Sequence, residues 1–432
     1  MHDVPDRGTS TSTDAVHLGF NVGEPVSLSI AERRLHVYVT GKTGTGKSTL
    51  LLNLMVQDLQ AGRGFALLDP HGDLAERVLD HVPPALTNRV VYLDPNEPDF
   101  AIGLNILEHV PEDLRPVVAA GVLSAMKHIW SDSWGPRLAH FLLNTILALM
   151  DTPGSTLLGV PLMLLDADYR RKVVARVTNP VVRQFFEVEL PAYPQHYSRE
   201  AMGPVLNKIQ SFLVFPTIRN IIGQERSTFD MRRLMDENRY LIANLSKGLI
   251  GEEPANLLGS LLVTNLELTA MRRASIAEHL RPDFALYADE FHSFSTSSFA
   301  TLLSEARKYR LSLIGAHQYL GQLTPEVRAA VLGNVGTMVV FRVGAEDGRV
   351  FEQELLPITL DLVTEQPAFH AWLKLPGGAP RMSLASEDCA APPRRRATIV
   401  KAQSRRHYAR KTAHVEGEIA EFLSRAMKAT KR

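Results

Sequence analysis

Cysteine is all but missing: Cys389 is the only one in 432 residues, so no internal disulfide can hold this chain together and its core must do so. Net charge is missing too. Lys plus Arg and Asp plus Glu each number 47, which leaves no overall charge to draw the chain to a polyanion. Apolar runs such as Val117 to Leu123 and Phe141 to Met150 stop well short of the roughly 18 residues a membrane-spanning helix needs, so no span is expected. The start, Met1-His2-Asp3 and then a Ser/Thr-rich stretch, lacks the basic flank and apolar block of a secretion signal. These absences point to a reducing, cytoplasmic setting.

What is present is ordinary globular material, 45% hydrophobic and 22% charged, enough for one large or two ordinary domains. Residues 1–34 read as a lead-in with short strands, punctuated by Gly19, Gly23 and Pro25. His36 to Thr40, Phe65 to Asp69 and Val90 to Asp94 read as buried strands alternating with helices over Lys47 to Leu59 and Asp73 to Val82. That alternation implies an α/β fold, a parallel sheet covered by helices. Between residues 111 and 232 the pattern turns to helical periods alone, which implies an inserted all-α domain. Strands resume at Tyr240 to Leu245, Phe284 to Asp289, Leu311 to Ala316 and Thr337 to Val343, so the sheet domain comprises residues 35–110 and 233–376. Phe369 to Leu375 reads as its edge strand. Residues 377–432 read as a mobile connection and a basic C-terminal tail with one short helix, Glu416 to Met427, and deletion of residues 391–432 should leave the sheet folded.

The chemistry centres on Gly41-Lys42-Thr43-Gly44-Thr45-Gly46-Lys47-Ser48, which matches GxxxxGK[ST] and lies between an expected strand and an expected helix. Glycines let the backbone wrap phosphates with inward N–H groups, and the helix N-terminus adds a favourable dipole. Gly41, Thr43 to Thr45, Gly46, Lys47, Ser48 and Thr49 are therefore the expected ATP-binding residues, with Lys47 on the β- and γ-phosphates and Ser48 on Mg²⁺. Phe284-Ala285-Leu286-Tyr287-Ala288-Asp289-Glu290 supplies the second half, an apolar strand ending in paired carboxylates. Asp289 is expected to hold Mg²⁺ through water and Glu290 to polarise the attacking water. Gln318, at the end of the next strand, can sense the γ-phosphate. Arg307 and Arg342 are candidates for the charge that stabilises phosphoryl transfer, from the same subunit or a neighbour, or for structural ion pairs. Asp69 and His71 either line the nucleotide site or build a turn. Trp130 and Trp134 read as core or interface anchors in preference to base-stacking platforms, and the remaining histidines show no metal-ligand spacing.

Missing motifs narrow the class. Asn207-Lys208-Ile209-Gln210 lacks the Asp of a guanine-reading NKxD, and Leu245-Ser246-Lys247-Gly248 departs from the LSGGQ of ABC ATPases. Asp289-Glu290-Phe291-His292 looks like a DExH box, but it lies far from the P-loop and no second helicase lobe follows.

The P-loop, Asp69-Pro70-His71-Gly72-Asp73, the helical insertion, Ala288-Asp289-Glu290-Phe291, Arg307-Lys308 and the strand ending in Gln318 together resemble the HerA/FtsK superfamily. Within it the likeness is to conjugative type IV coupling proteins of the TraG/TraD kind, over roughly residues 17 to 375. The resemblance implies a RecA-like ATPase, active as a homohexameric ring that translocates DNA, with Arg307 as the neighbour's arginine finger and Gln318 as the γ-phosphate sensor. Coupling proteins begin with transmembrane helices, which this sequence lacks. It thus also fits an adaptor ATPase that recruits a relaxase for a secretion channel, or a HerA-like translocase working with a nuclease. From Arg394 to Arg432 twelve Lys/Arg face three Glu, a charge that can attract phosphate backbones or serve only solubility.

Overall fold

The computed structural model describes residues 14–131, 134–378, 382–387, 389, 391–392 and 395–429. Its frame is an eleven-stranded sheet. In chain order the strands are β1 (Ala15–Asn21), β2 (Glu24–Ser29), β3 (Val37–Thr40), β4 (Phe65–Asp69), β5 (Val90–Leu93), β6 (Phe100–Ile102), β7 (Tyr240–Asn244), β8 (Phe284–Ala288), β9 (Leu311–His317), β10 (Thr337–Phe341), β11 (His370–Lys374), β12 (Met382–Ala385) and β13 (Ala409–Lys411). The sheet runs β2-β1-β12-β11-β10-β3-β9-β8-β4-β7-β5, while β6 and β13 form a separate two-stranded ribbon. From β10 to β5 all neighbours are parallel; β11, β12, β1 and β2 add on antiparallel.

Every residue of β3, β4, β7 and β8 is buried, as expected where helices cover both faces. Alternate side chains serve two cores. Phe65, Leu67, Tyr240, Ile242 and Tyr287 pack with Leu50, Leu51 and Leu54 of the P-loop helix, Lys47–Gln60. Ala66, Leu68, Leu241, Ala243 and Leu286 face the opposite core, built with helices Glu252–Arg272, Ser297–Glu305 and Pro325–Asn334 and with the helices between β6 and β7. Those latter helices, among them Arg115–Ile129, Pro136–Met150 and Gln195–Leu213, lie between two chain segments that run side by side: Leu104 N–H donates to Ile221 O (3.0 Å) and Thr228 N–H to Gly103 O (3.0 Å). Trp130 packs there on Phe212, ring centroids 4.7 Å apart.

Two expectations are corrected. The strand over Phe369 to Leu375 is not an edge, because β12 returns beside it and the β1–β2 hairpin extends the sheet further; the Gly, Pro and Arg around β12 masked its extended pairing. The segment after residue 396 is not a loose tail with one short helix. It forms two helices, Ala397–Tyr408 and Thr412–Ala429, joined by β13. Val400 is fully buried in the core of the P-loop-helix face, and Ser404 Oγ accepts the N–H of Tyr92 on β5 at 2.7 Å. Much of the basic charge is spent inside the chain: Lys401 pairs with Glu76, Arg405 with Glu97 and Arg410 with Glu418. Arg394, Lys431 and Arg432 lie outside the described residues.

Residues 397–429 are thus part of the folded body, and Val400→Asp, which buries an unpaired charge, should cost at least about 3 kcal/mol. Urea unfolding measures this. A loss under about 1 kcal/mol would mean the segment detaches freely.

Candidate functional site

β3 delivers the chain to the P-loop, where Gly44 (φ 76°) and Gly46 (φ 116°) take left-handed backbone that other residues resist. An added Cβ at Gly46 would also meet the Phe341 and Phe369 rings at 3.2 and 3.1 Å. The loop is closed by Thr45 Oγ1 donating to Lys42 O (2.7 Å). Lys47 is 7% exposed and turns its Nζ back onto Gly41 O (2.7 Å) and Lys42 O (3.3 Å), stand-ins for the phosphate oxygens it is expected to meet. Burial lowers its pKa, against the pull of Glu290 and Asp289.

β8 brings the acidic pair to the same sheet edge. Ser48 Oγ donates to Asp289 Oδ2 at 3.1 Å, so the two residues expected to hold Mg²⁺ converge. A hydroxyl and a carboxylate beside a P-loop are the oxygen donors Mg²⁺ takes, so the residues present fit that ion. Asp289 is 5% exposed, and burial, with help from Asp69 and Glu290 nearby, pushes its carboxyl up to about 6. Asp69 is committed to structure. Its Oδ1 accepts from His71 N (2.9 Å) and its Oδ2 from Ala75 N (2.8 Å), which builds the turn into helix Asp73–Asp80.

Glu290 sits at φ 45°, a left-handed conformation uncommon for a non-glycine residue. The strand order explains its partner. β9 lies between β3 and β8, so Gln318, just past its end, stands between P-loop and acidic pair, and its Nε2 donates to Glu290 Oε1 at 2.9 Å. The other oxygen, Oε2, has His292 Nδ1 at 3.4 Å. His317 is tied to Tyr38 OH through Nε2 at 2.6 Å. Burial is the main cause that lowers His292 to about 4 and His317 to about 3, so both rings are neutral near pH 7. The sequence alone gave His292 and His317 no role in the site; their positions two residues after Glu290 and one before Gln318 were the available signal.

Arg307 is not brought to this site. It is exposed in the turn Ala306–Tyr309 ahead of β9, whereas the P-loop and Gln318 lie past the opposite strand ends. The seven residues of β9 separate the two edges by roughly 23 Å. Arg307 lies instead near His36, at the start of β3, where burial first and this arginine second lower the ring to about 4. Arg342 follows β10 on the P-loop side, and its carbonyl accepts the Lys42 N–H at 2.8 Å.

With this geometry established, the chain can be compared with known proteins. No protein-family model and no curated protein matches it. Solved structures do. The unbound conjugative coupling protein TrwBdeltaN70 superposes with a TM-score of 0.65 at 16% identity, covering 88% of this chain and 90% of that one. The chain thus shares the TrwB-like, RecA-type fold. TrwB with the ATP analogue ADPNP gives a TM-score of 0.64 at 18% identity over 90% of this chain and 93% of that one. VirB4 of Thermoanaerobacter pseudethanolicus gives 0.59 at 14% identity over 90% and 99%.

The Asp289 environment sets a pH signature. A carboxyl raised from 3.8 to about 6 binds its proton more tightly folded than unfolded, so its cost is absent below about pH 4, grows between pH 4 and 6, and is full above. That cost is about 3 kcal/mol. Asp289→Asn should therefore stabilise the metal-free protein at pH 8 by up to about 3 kcal/mol, change little at pH 4, and lose stabilisation by Mg²⁺ with nucleotide. Chemical unfolding with EDTA at the two pH values checks it.

Proposed function

We propose that this chain is an ATP-hydrolysing ring motor that translocates DNA, of the conjugative coupling or type IV secretion kind. The carrying observation is the convergence of Lys47, Ser48, Asp289, Glu290 and Gln318 on one sheet edge. The TrwB-like fold supports it, and TrwB itself has been solved with ADP and Mg²⁺ and with non-hydrolysable ATP and GTP analogues.

Lys47 turns from the loop carbonyls to the β- and γ-phosphates, and Gly44 to Thr49 cradle the α- and β-phosphates with backbone N–H groups and hydroxyls. Ser48, and Asp289 through water, would hold Mg²⁺, which would neutralise phosphate charge. Glu290 takes the proton of the attacking water. Gln318 donates to one Glu290 oxygen, and a γ-phosphate would compete for that amide and free the oxygen for water. Arg307, too far from its own P-loop, serves the neighbouring subunit's nucleotide in a closed head-to-tail ring, a homohexamer by analogy with the superfamily. Among the described residues no helix is long and apolar enough to cross a membrane.

Lys47→Ala should abolish nucleotide binding, and Glu290→Gln should keep binding but stop turnover. Wild-type turnover should rise when single-stranded or duplex DNA is added, with ring particles visible by electron microscopy. Tight binding of a protein partner with no response to DNA would favour an adaptor instead. Arg307→Ala should bind ATP and turn over roughly 10³-fold or more slowly. Mixing Arg307→Ala with Glu290→Gln subunits should restore activity, because some interfaces then join an intact Glu290 to a neighbour's intact Arg307. Mixed rings that stay silent would remove Arg307 from that role.

A further inference from the structure

Ser48, Asp289, Glu290 and Gln318 all lie on the β9 and β8 side of the P-loop strand β3. A triphosphate whose γ end faces Glu290 would therefore carry its nucleoside away from them, towards β3's other neighbour, β10, and β11 beyond it. The residue waiting there is Phe369, immediately before β11. Its N–H donates to Thr45 O at 2.8 Å, inside the P-loop, and its carbonyl accepts the Ser386 N–H at 2.8 Å. Between these two grips its backbone is held at φ 64°, a left-handed conformation that is a genuine outlier for a bulky side chain. Gly46 has no side chain where the Phe369 and buried Phe341 rings press on it. Yet Phe369 is 41% exposed, unlike Phe341. A strained backbone that sets a half-bare aromatic ring against the phosphate loop is poorly explained by core packing.

We infer that Phe369 is the platform on which the nucleobase of the bound nucleotide stacks, an assignment that rests on the P-loop being a nucleotide site. A phenyl ring offers a π-face and no hydrogen bonds, so it recognises a base by its face and sets where the nucleoside leaves the P-loop. Base stacking on an aromatic side chain is worth about 1–3 kcal/mol, a factor of roughly 5 to 150 in affinity.

Phe369→Gly suits the test because glycine accepts φ 64° without strain, and Phe369→Leu keeps bulk without a π-face. Titration calorimetry with Mg²⁺ should show ATP binding weakened roughly 5- to 100-fold in both variants and inorganic tripolyphosphate binding unchanged. Phe369→Trp should retain ATP affinity and show fluorescence quenching by ADP but not by pyrophosphate. If ATP binds the wild type, and Phe369→Gly and Phe369→Leu bind it equally well with no quenching in Phe369→Trp, the platform alone is overturned. If the wild type binds neither ATP nor tripolyphosphate, the nucleotide site itself is wrong and the platform falls with it.

Discussion

The carboxylate of Asp58 is fully buried and must be neutralised where it lies, and three elements converge to do so. Arg33, from the helix after β2, puts Nη1 at 2.9 Å from both its oxygens; Arg63 Nε reaches it at 2.6 Å and Tyr287 OH at 2.7 Å. Removing one partner from such a group usually costs about 3–5 kcal/mol, so the arrangement is close to obligatory once Asp58 is inside. Asp58 lies near the end of the helix that Lys47 begins, and Tyr287 is on β8 two residues before Asp289. Side chains two apart along a strand point to one face. The clamp on Tyr287 therefore fixes β8 against the P-loop helix, and with it the distance at which Ser48 meets Asp289.

The second constraint is the order of strands. Because β9 is inserted between β3 and β8, an amide at its end has no choice but to stand between the P-loop and the Glu290 carboxylate. Gln318 fills that position, and the neutral rings of His292 and His317 surround it without adding charge. The same parallel order puts Arg307 on the far edge, away from the P-loop.

Much of this was legible in the residues. The P-loop match, the apolar strand running into Asp289-Glu290 and the helical periods after Pro111 each carry a local signature, and the strands and helices formed near those positions. What escaped reading depended on pairing over distance. Asp58 looks like one polar residue in an apolar-periodic helix until Arg33 and Tyr287 arrive beside it. β12 is four residues flanked by irregular chain, and only β11 and β1 make it a strand. The helix Ala397–Tyr408 looked like a basic tail because Lys401 and Arg405 meet Glu76 and Glu97, more than 300 positions earlier. Phe369 is unremarkable by sequence, since neither its backbone conformation nor its contact with the P-loop is written near it.

The sheet is finished from both sides by segments far apart in the chain, and this bears on its synthesis. The β1–β2 hairpin is among the first described parts to leave the ribosome, yet its place beside β12 does not exist until about 360 further residues have been added. The helix that packs on β5, Ala397–Tyr408, comes later still. At translation rates of about 5–20 residues per second, the nascent chain carries open strand edges for tens of seconds. Such edges invite pairing with other chains. A ribosome that stalls before residue 400 would therefore release a product with its phosphate loop already made and its sheet still sticky, a species for chaperones to shield or proteases to clear.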